Sequence, residues 1–248
     1  MQIIPVLDLM DGVVVHAYKG ERECYRPVQS ILTSSSDPLE VARALQMETD
    51  CRTFYIADLD AIQGNGHNRK AISNLASRLK ADLWVDAGVS QASSVEPLLA
   101  AGADVVIIGS ETLRGLEQIE DIYDSIPREQ FIFSLDIAKG RVLSRAEALK
   151  GAAPLEAMAC LTEAGIERFI LLTLDAVGSC CGPDLPLLKR AKRDFPHHTI
   201  IAAGGVKTLE HLRALSAAGP DELQLDGVLV ATSLHKGLIT RQNIASLS

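Results

Sequence analysis

The segment Ile4-Pro5-Val6-Leu7-Asp8-Leu9-Met10-Asp11-Gly12-Val13-Val14 returns later in the chain as Ile132-Phe133-Ser134-Leu135-Asp136-Ile137-Ala138-Lys139-Gly140-Arg141-Val142. At a constant offset of 128, Ile4, Leu7, Asp8, Gly12 and Val14 fall on Ile132, Leu135, Asp136, Gly140 and Val142, in a chain whose half-length is 124. Self-similarity at such a spacing marks a duplicated unit. Each copy reads as a buried strand ending in an acid; in the first, Asp11-Gly12 then turns the chain back into the apolar arm Val13-Val14-Val15. A carboxylate at the end of an apolar strand must stay hydrated or find a partner. Two of them related by a repeat point to two acids facing one cleft.

The rest of the chain alternates short apolar runs with helical patterns. Strands are expected at 54–57, 83–85, 105–110, 131–135, 168–173, 199–203 and 227–231, after the first at 4–10. Between them lie helical stretches, among them one opened by Asp37-Pro38 as N-cap and first-turn proline, one over 93–101, and others over 154–164, 184–193, 208–218 and 240–246. Segment 58–68 reads as a glycine-containing loop, and 18–36 as a polar loop long enough to cover a site. Eight buried strands alternating with helices predict an α/β fold, a (β/α)₈ TIM barrel. An open doubly wound sheet would carry G-x-G-x-x-G after its first strand, and none is present. The halves match further: Asp58-Leu59-Asp60-Ala61 with Thr173-Leu174-Asp175-Ala176 at offset 115, Ala87-Gly88-Val89 with Gly204-Gly205-Val206 at 117, and Ile108-Gly109-Ser110 with Val230-Ala231-Thr232 at 122. One barrel over 1–248 is expected, built from half-barrels of about 1–127 and 128–248.

Charge narrows the partners. A net charge of -8 without a Lys/Arg run excludes a nucleic-acid groove or an anionic membrane surface, so a bound phosphate would need local donors. No apolar run approaches the roughly 18–20 residues of a membrane span, and a soluble cytoplasmic protein is expected. The five cysteines are odd in number and lack C-x-x-C spacing, which argues against a disulfide framework. No His, Asp or Glu set has metal-ligand spacing.

In a barrel of this kind the C-terminal strand ends form the active face. Asp8 and Asp136 end the first and fifth strands, on opposite sides of the ring, and give a substrate one acid and one base. That pairing suits proton movement between neighbouring substrate atoms, as in an aldose-to-ketose rearrangement. The alternative is that each aspartate merely caps its strand end. The turns Gly204-Gly205 and Ala231-Thr232 leave backbone N–H groups open to a phosphate, at the usual phosphate position of the fold. A second site in the first half would use Gly88, Gly109 and Ser110, although Asp86 beside it is unfavourable for an anion. Gly178 and Ser179 follow the sixth strand and are candidate substrate-binding residues. His16, Lys19, Arg22, Tyr25 and Arg26 are candidate contacts from the first hairpin and loop, with Asp58 and Thr173 as candidates from two strand ends.

These residues resemble the histidine-biosynthesis barrels, ProFAR isomerase and, more distantly, the cyclase subunit of imidazole glycerol phosphate synthase. The likeness rests on Ile4-Pro5-x-Leu7-Asp8-Leu9-x-Asp11-Gly12, Ser134-Leu135-Asp136 with Gly140, Gly204-Gly205-Val206 and the turn after the eighth strand, and it runs the length of the chain. It implies a cofactor-free enzyme acting on a small phosphorylated substrate, with Asp8 and Asp136 as the acid-base pair. Departures bear on the substrate. The family's Gly-Gly-Gly-Ile-Arg is Asp86-Ala87-Gly88-Val89-Ser90, its hairpin Arg or Lys is His16, and its Asp-Gly-Thr is Val177-Gly178-Ser179. The loop Gly20-Glu21-Arg22-Glu23-Cys24-Tyr25-Arg26-Pro27 is similar to that of uncharacterised ProFAR-isomerase-related proteins of methanogens and methylotrophs. The resemblance implies a ribotide isomerase with a substrate other than ProFAR. Alternatives are ProFAR isomerase itself, a phosphosugar lyase or cyclase of tetrahydromethanopterin-type cofactor biosynthesis, and a non-catalytic barrel.

Overall fold

In a computed structural model of the chain, the described residues are 1–18, 21–178, 181–217 and 224–247. Among them the strands are β1 (Gln2–Met10), β2 (Val13–His16), β3 (Arg26–Pro27), β4 (Thr53–Asp58), β5 (Asp82–Asp86), β6 (Val105–Gly109), β7 (Phe131–Ala138), β8 (Arg141–Val142), β9 (Arg168–Thr173), β10 (Thr199–Ala203) and β11 (Gly227–Val230). The α-helices are α1 (Pro38–Thr49), α2 (Leu59–Gln63), α3 (Arg69–Arg78), α4 (Glu96–Ala100), α5 (Glu117–Tyr123), α6 (Pro154–Glu163), α7 (Leu185–Asp194), α8 (Leu209–Ser216), α9 (Thr232–His235) and α10 (Arg241–Ala245).

Eight strands pair in parallel in the order β1, β4, β5, β6, β7, β9, β10, β11, and β11 pairs back onto β1, with Gln2 opposite Gly227. The sheet is therefore a closed barrel with no open parallel edge. Alternate residues of a strand face opposite sides. Ile4, Tyr55, Trp84, Ile107, Ile132, Ile170, Ile201 and Leu229 pack together in the lumen, while Phe54, Val85, Val106, Phe133 and Phe169 pack in a larger core that also takes in buried helix residues such as Leu45, Leu75 and Leu161. Phe133 and Phe169 are completely buried, and truncating such a ring to alanine typically costs about 3–5 kcal/mol.

The same parity aims the acids. Asp8 and Asp136 lie four residues beyond Ile4 and Ile132, so they share the lumen-facing side, roughly 13 Å further up the barrel at the usual rise per strand residue. Each acidic strand continues into a hairpin, β1 to β2 through Asp11-Gly12 and β7 to β8 through Lys139-Gly140, all four with positive φ. The Asp11 amide donates to Asp60 Oδ2 at 2.8 Å, and the Lys139 amide donates to Asp175 Oδ2 at 2.5 Å. Asp60 and Asp175 are the residues matched at offset 115, and each ties its half's hairpin turn to the segment after the next barrel strand.

The local sequence explains the elements and two differences from expectation. Asp37 caps α1 by accepting from Leu39 N and Glu40 N, and Pro38 occupies the first turn, where its missing N–H is not needed. The helix expected over 93–101 is instead a 3₁₀ turn (Ala92–Ser94) followed by α4, because Pro97 cannot donate within a continuous helix and is accommodated in the first turn of the new one. Part of the loop expected over 58–68 is α2, capped when Asp58 accepts from Ala61 N. Among the described residues no helix is long and apolar enough to cross a membrane.

Candidate active site

A cavity of about 410 Å³ opens at the C-terminal ends of the barrel strands. Asp8 from β1 and Asp136 from β7 both line it. Asp136 is 5% exposed; its Oδ2 accepts from Glu111 N and from Ser110 Oγ, each at 3.2 Å, and its own N–H donates to Ser110 Oγ at 2.9 Å. The Asp8 carboxylate makes no hydrogen bond with any described residue. Burial pushes the Asp8 carboxyl up to about 7. Burial, followed by the negative charges of Asp86 and Glu111, pushes Asp136 up to about 8, against the opposing pull of the Glu111 amide and the Ser110 hydroxyl. Two carboxyls poised near neutral pH in one cavity are equipped to exchange roles as proton donor and acceptor.

Around the aspartate pair, Tyr55 and Asp86 complete the floor on the β4–β5 side. The Tyr55 hydroxyl donates to Asp86 Oδ2 at 3.0 Å, and the Gly88 amide donates to Asp86 Oδ1 at 3.1 Å. Burial, then the charges of Asp86, Asp136 and Asp8, hold the Tyr55 phenol well above its usual range, so it remains a donor. Gly109 lies between the acids. A Cβ there would sit 3.5 Å from Asp136 Oδ2 and 3.8 Å from Asp86 Oδ2, so the missing side chain opens the space where the two meet.

On the opposite wall, Gly204 and Gly205 both have positive φ, and added Cβ atoms would lie 2.5 Å from Thr173 O and 2.2 Å from Gly182 O. Only glycine fits this pair without moving backbone. Gly204, Gly205, Ala231 and Thr232 all line the cavity, as does Gly178, whose Cβ would meet Ala17 O at 2.6 Å. His16 lines it from β2, and Tyr25, 8% exposed, reaches it from the first loop.

Other expected contacts fall elsewhere. Asp58 is completely buried on the opposite parity from Ala57: it accepts from Asn68 N at 2.6 Å and Asn68 Nδ2 at 2.7 Å, which makes it a clamp on the 58–68 segment. Thr173 has the parity of Phe169 and Leu171, and the cavity is lined instead by its neighbours Leu172 and Leu174. Ser110 is completely buried; its hydroxyl lies 2.9 Å from Leu143 O as well as beside Asp136, so it positions the acid and does not face a phosphate. Gly88 does not line the cavity, and Asp86 takes its amide. Arg26 directs its guanidinium to the carbonyls of Glu23 and Tyr25 in its own loop. Lys19 and Ser179, and the side chain of Arg22, lie outside the described residues.

Sequence reasoning missed Tyr55, Glu111, Asp175 and His235 as cavity residues. Strand parity offered a signal for Tyr55, which shares the face of Ala57 at the strand end. No comparable pattern marked Glu111 or His235, which are brought in by turns. Among the described residues, no three His, Cys, Asp or Glu side chains gather in a group able to hold a metal ion.

Comparison with known proteins joins this geometry to a family. The chain is 31% identical to an uncharacterized protein of Methanocaldococcus jannaschii over 98% of this chain and 97% of that one. It is 32% identical to the 1-(5-phosphoribosyl)-5-((5-phosphoribosylamino)methylideneamino)imidazole-4-carboxamide isomerase of Syntrophomonas wolfei, over 96% and 95% of the two chains. The isomerase of the same name from Cutibacterium acnes is 29% identical, over 97% and 89%. The family model described as histidine biosynthesis protein matches residues 2–240, and it spans every barrel strand and both lumen-facing aspartates. The chain belongs to the histidine biosynthesis protein family.

Proposed function

We propose that this barrel is an isomerase that converts a phosphorylated sugar-amine from its aldose to its ketose form by an Amadori-type rearrangement. The observation that carries this is the pair of lumen-facing carboxyls on opposite strands of one cavity, raised to about 7 at Asp8 and about 8 at Asp136. Between those values the pair holds one proton, and we assign it to Asp136, which leaves Asp8 as the base. Asp136 then gives its proton to the ring oxygen as the ring C–O bond breaks, and the electron pair of the exocyclic nitrogen forms the C=N bond at C1. Asp8 removes the proton from C2, and the C2–H electrons move to give the enolamine, which tautomerises to the aminoketone. No oxidant or cofactor enters the balance.

The substrate we assign differs from that named for the isomerase relatives, whose names contain two phosphoribosyl groups. At the β5–β6 wall the Gly88 amide is already bonded to Asp86, and carboxylates face the space beside Gly109, which disfavours a phosphate there. The Gly204-Gly205 and Ala231-Thr232 wall carries no acid. One phosphate at that wall is the arrangement the charges support. The matched Asp60 and Asp175 bonds also support a barrel fused from two half-barrels of about 1–127 and 128–248.

The test is turnover of a panel of phosphoribosylamines, including ProFAR, by the wild-type chain, Asp8→Asn and Asp136→Asn, with products identified by NMR. Each variant is expected to lose about 10²–10⁴-fold in kcat, the usual contribution of a general acid or base. Undiminished turnover in both variants would refute the assignment, and fragmentation products in place of a ketose would make the enzyme a lyase.

A further inference from the structure

The acids of the cavity are not alike. Asp8 stands on β1, whereas Asp86, Glu111 and Asp136 stand together on the β5–β7 side. Asp175 also lines the cavity, with its Oδ2 taken by the Lys139 amide. On β9, Leu172 pairs opposite Asp136, and the β8 hairpin adds Leu143 to the lining, so neither neighbour brings a titratable group there. The histidines of the lining, His16 and His235, lie at the β1–β11 side across the ring.

Asp86 is held at the end of β5 by two donors, the Tyr55 hydroxyl at 3.0 Å on Oδ2 and the Gly88 amide at 3.1 Å on Oδ1. A donor on each oxygen fixes a carboxylate and favours its charged form. A Cβ on Gly109 would lie 3.5 Å from Asp136 Oδ2 and 3.8 Å from Asp86 Oδ2, so these two oxygens flank the glycine no more than about 7 Å apart. Asp136 is set up differently. The Ser110 hydroxyl has one proton and two acceptors within reach, Leu143 O at 2.9 Å and Asp136 Oδ2 at 3.2 Å, while its oxygen accepts from Asp136 N at 2.9 Å. With Asp136 ionised, that single proton is divided between two acceptors. With Asp136 protonated, the hydroxyl donates to Leu143 and accepts from the carboxyl, and every contact is filled.

We propose that Asp86 is a positioning residue of this enzyme: its charge, fixed by Tyr55 and Gly88 across Gly109, keeps the proton on Asp136 and so makes that aspartate the acid of the pair. This rests on the reading above that Asp136 is the acid of an isomerase, and it adds what confines the proton to that member. Burial raises Asp8, whereas at Asp136 the charges of Asp86 and then Glu111 add to burial. Without the charge of Asp86 the two acids would titrate closer together, and the proton would be divided between them.

The test reads the Asp136 proton directly. The full chain, labelled with ¹³C at its aspartate carboxyls, is titrated by NMR from about pH 4 to about pH 10, and the signal absent in Asp136→Asn is that of Asp136. Asp86→Asn keeps an acceptor for Gly88 and offers an N–H to Tyr55, so the fold is expected to survive, as circular dichroism will check. The substitution should move the Asp136 titration, and with it the alkaline limb of kcat/KM, down by about one pH unit, the effect of removing a unit charge about 7 Å away in a partly screened site. At about pH 8 this is roughly a five-fold loss of kcat/KM, and at about pH 6 almost none. Asp86→Glu, which keeps the charge, should restore most of both. An unmoved Asp136 titration in folded Asp86→Asn overturns the proposal, and so does an equal shift in Asp86→Glu. The two readings fail separately. A shifted titration without turnover of any phosphoribosylamine leaves the effect of Asp86 and removes the isomerase. Turnover lost in Asp136→Asn, with titration and alkaline limb both unmoved in Asp86→Asn, leaves the isomerase and removes the role of Asp86.

Discussion

Asp136→Asn should make the protein more stable while removing its activity, and the effect should depend on pH. Asp136 is raised from an ordinary 3.8 to about 8, chiefly by burial. At 1.36 kcal/mol per pKa unit, that difference sets a ceiling of about 5–6 kcal/mol on the cost of holding this carboxyl ionised in the fold. Water in the cavity screens the charge, and asparagine loses one acceptor toward Ser110 and Glu111, so about 2–4 kcal/mol of net gain is expected. Below about pH 4 the carboxyl is protonated in both folded and unfolded chains, and the substitution gains nothing. As pH rises from about 4 to about 8 the unfolded chain releases this proton and the folded chain retains it, so wild-type stability falls; above that both are ionised and the loss levels off. Thermal unfolding at about pH 9 should place the variant's Tm roughly 5–15 °C above wild type for a chain of this size. At about pH 4 the two should nearly coincide. A variant no more stable than wild type at the higher pH, or equally stabilised at both, would show that Asp136 is not a buried, charge-penalised acid.

The paired carboxyls also predict a bell-shaped profile of kcat/KM, with limbs near the apparent values of about 7 and about 8 that belong to the pair. A profile flat across this region would remove the acid-base assignment. Two glycines should separate folding from function. Gly205→Ala places a Cβ 2.2 Å from Gly182 O at a positive φ and should lower stability by about 1–3 kcal/mol in urea unfolding. Gly109→Ala has room to fold, at 3.5 and 3.8 Å from Asp136 and Asp86, and should raise KM with little change in Tm. The reverse ranking would mean that Gly109 is structural and Gly205 dispensable.

Most of the barrel was legible because its strands are continuous apolar runs bounded by turn residues, and because the two halves repeat. Asp8 and Asp136 were legible for the same reason: each stands at a fixed distance from an apolar residue of its own strand. The weaker expectations came from positions beyond the strand ends. Asp58 looks like a strand-end acid in sequence, yet one step of parity turns it from the lumen to the 58–68 segment, where Asn68 bonds it. Ser110 matches Thr232 in the repeat, yet it is used to hold Asp136, whereas Thr232 lines the cavity.

The sequence by itself determined the barrel, its repeat and the two acids, since all three are written in local periodicity and in matches between segments. Only the tertiary structure decided how the cavity is charged. Tyr55 and Asp86 are joined by adjacent strands, Glu111 reaches Asp136 through a turn, and His235 meets the wall opposite because closure of β11 onto β1 brings it beside the first hairpin. Those contacts are set by strand parity, ring closure and turn geometry acting together over residues far apart in the chain, and no local pattern encodes them.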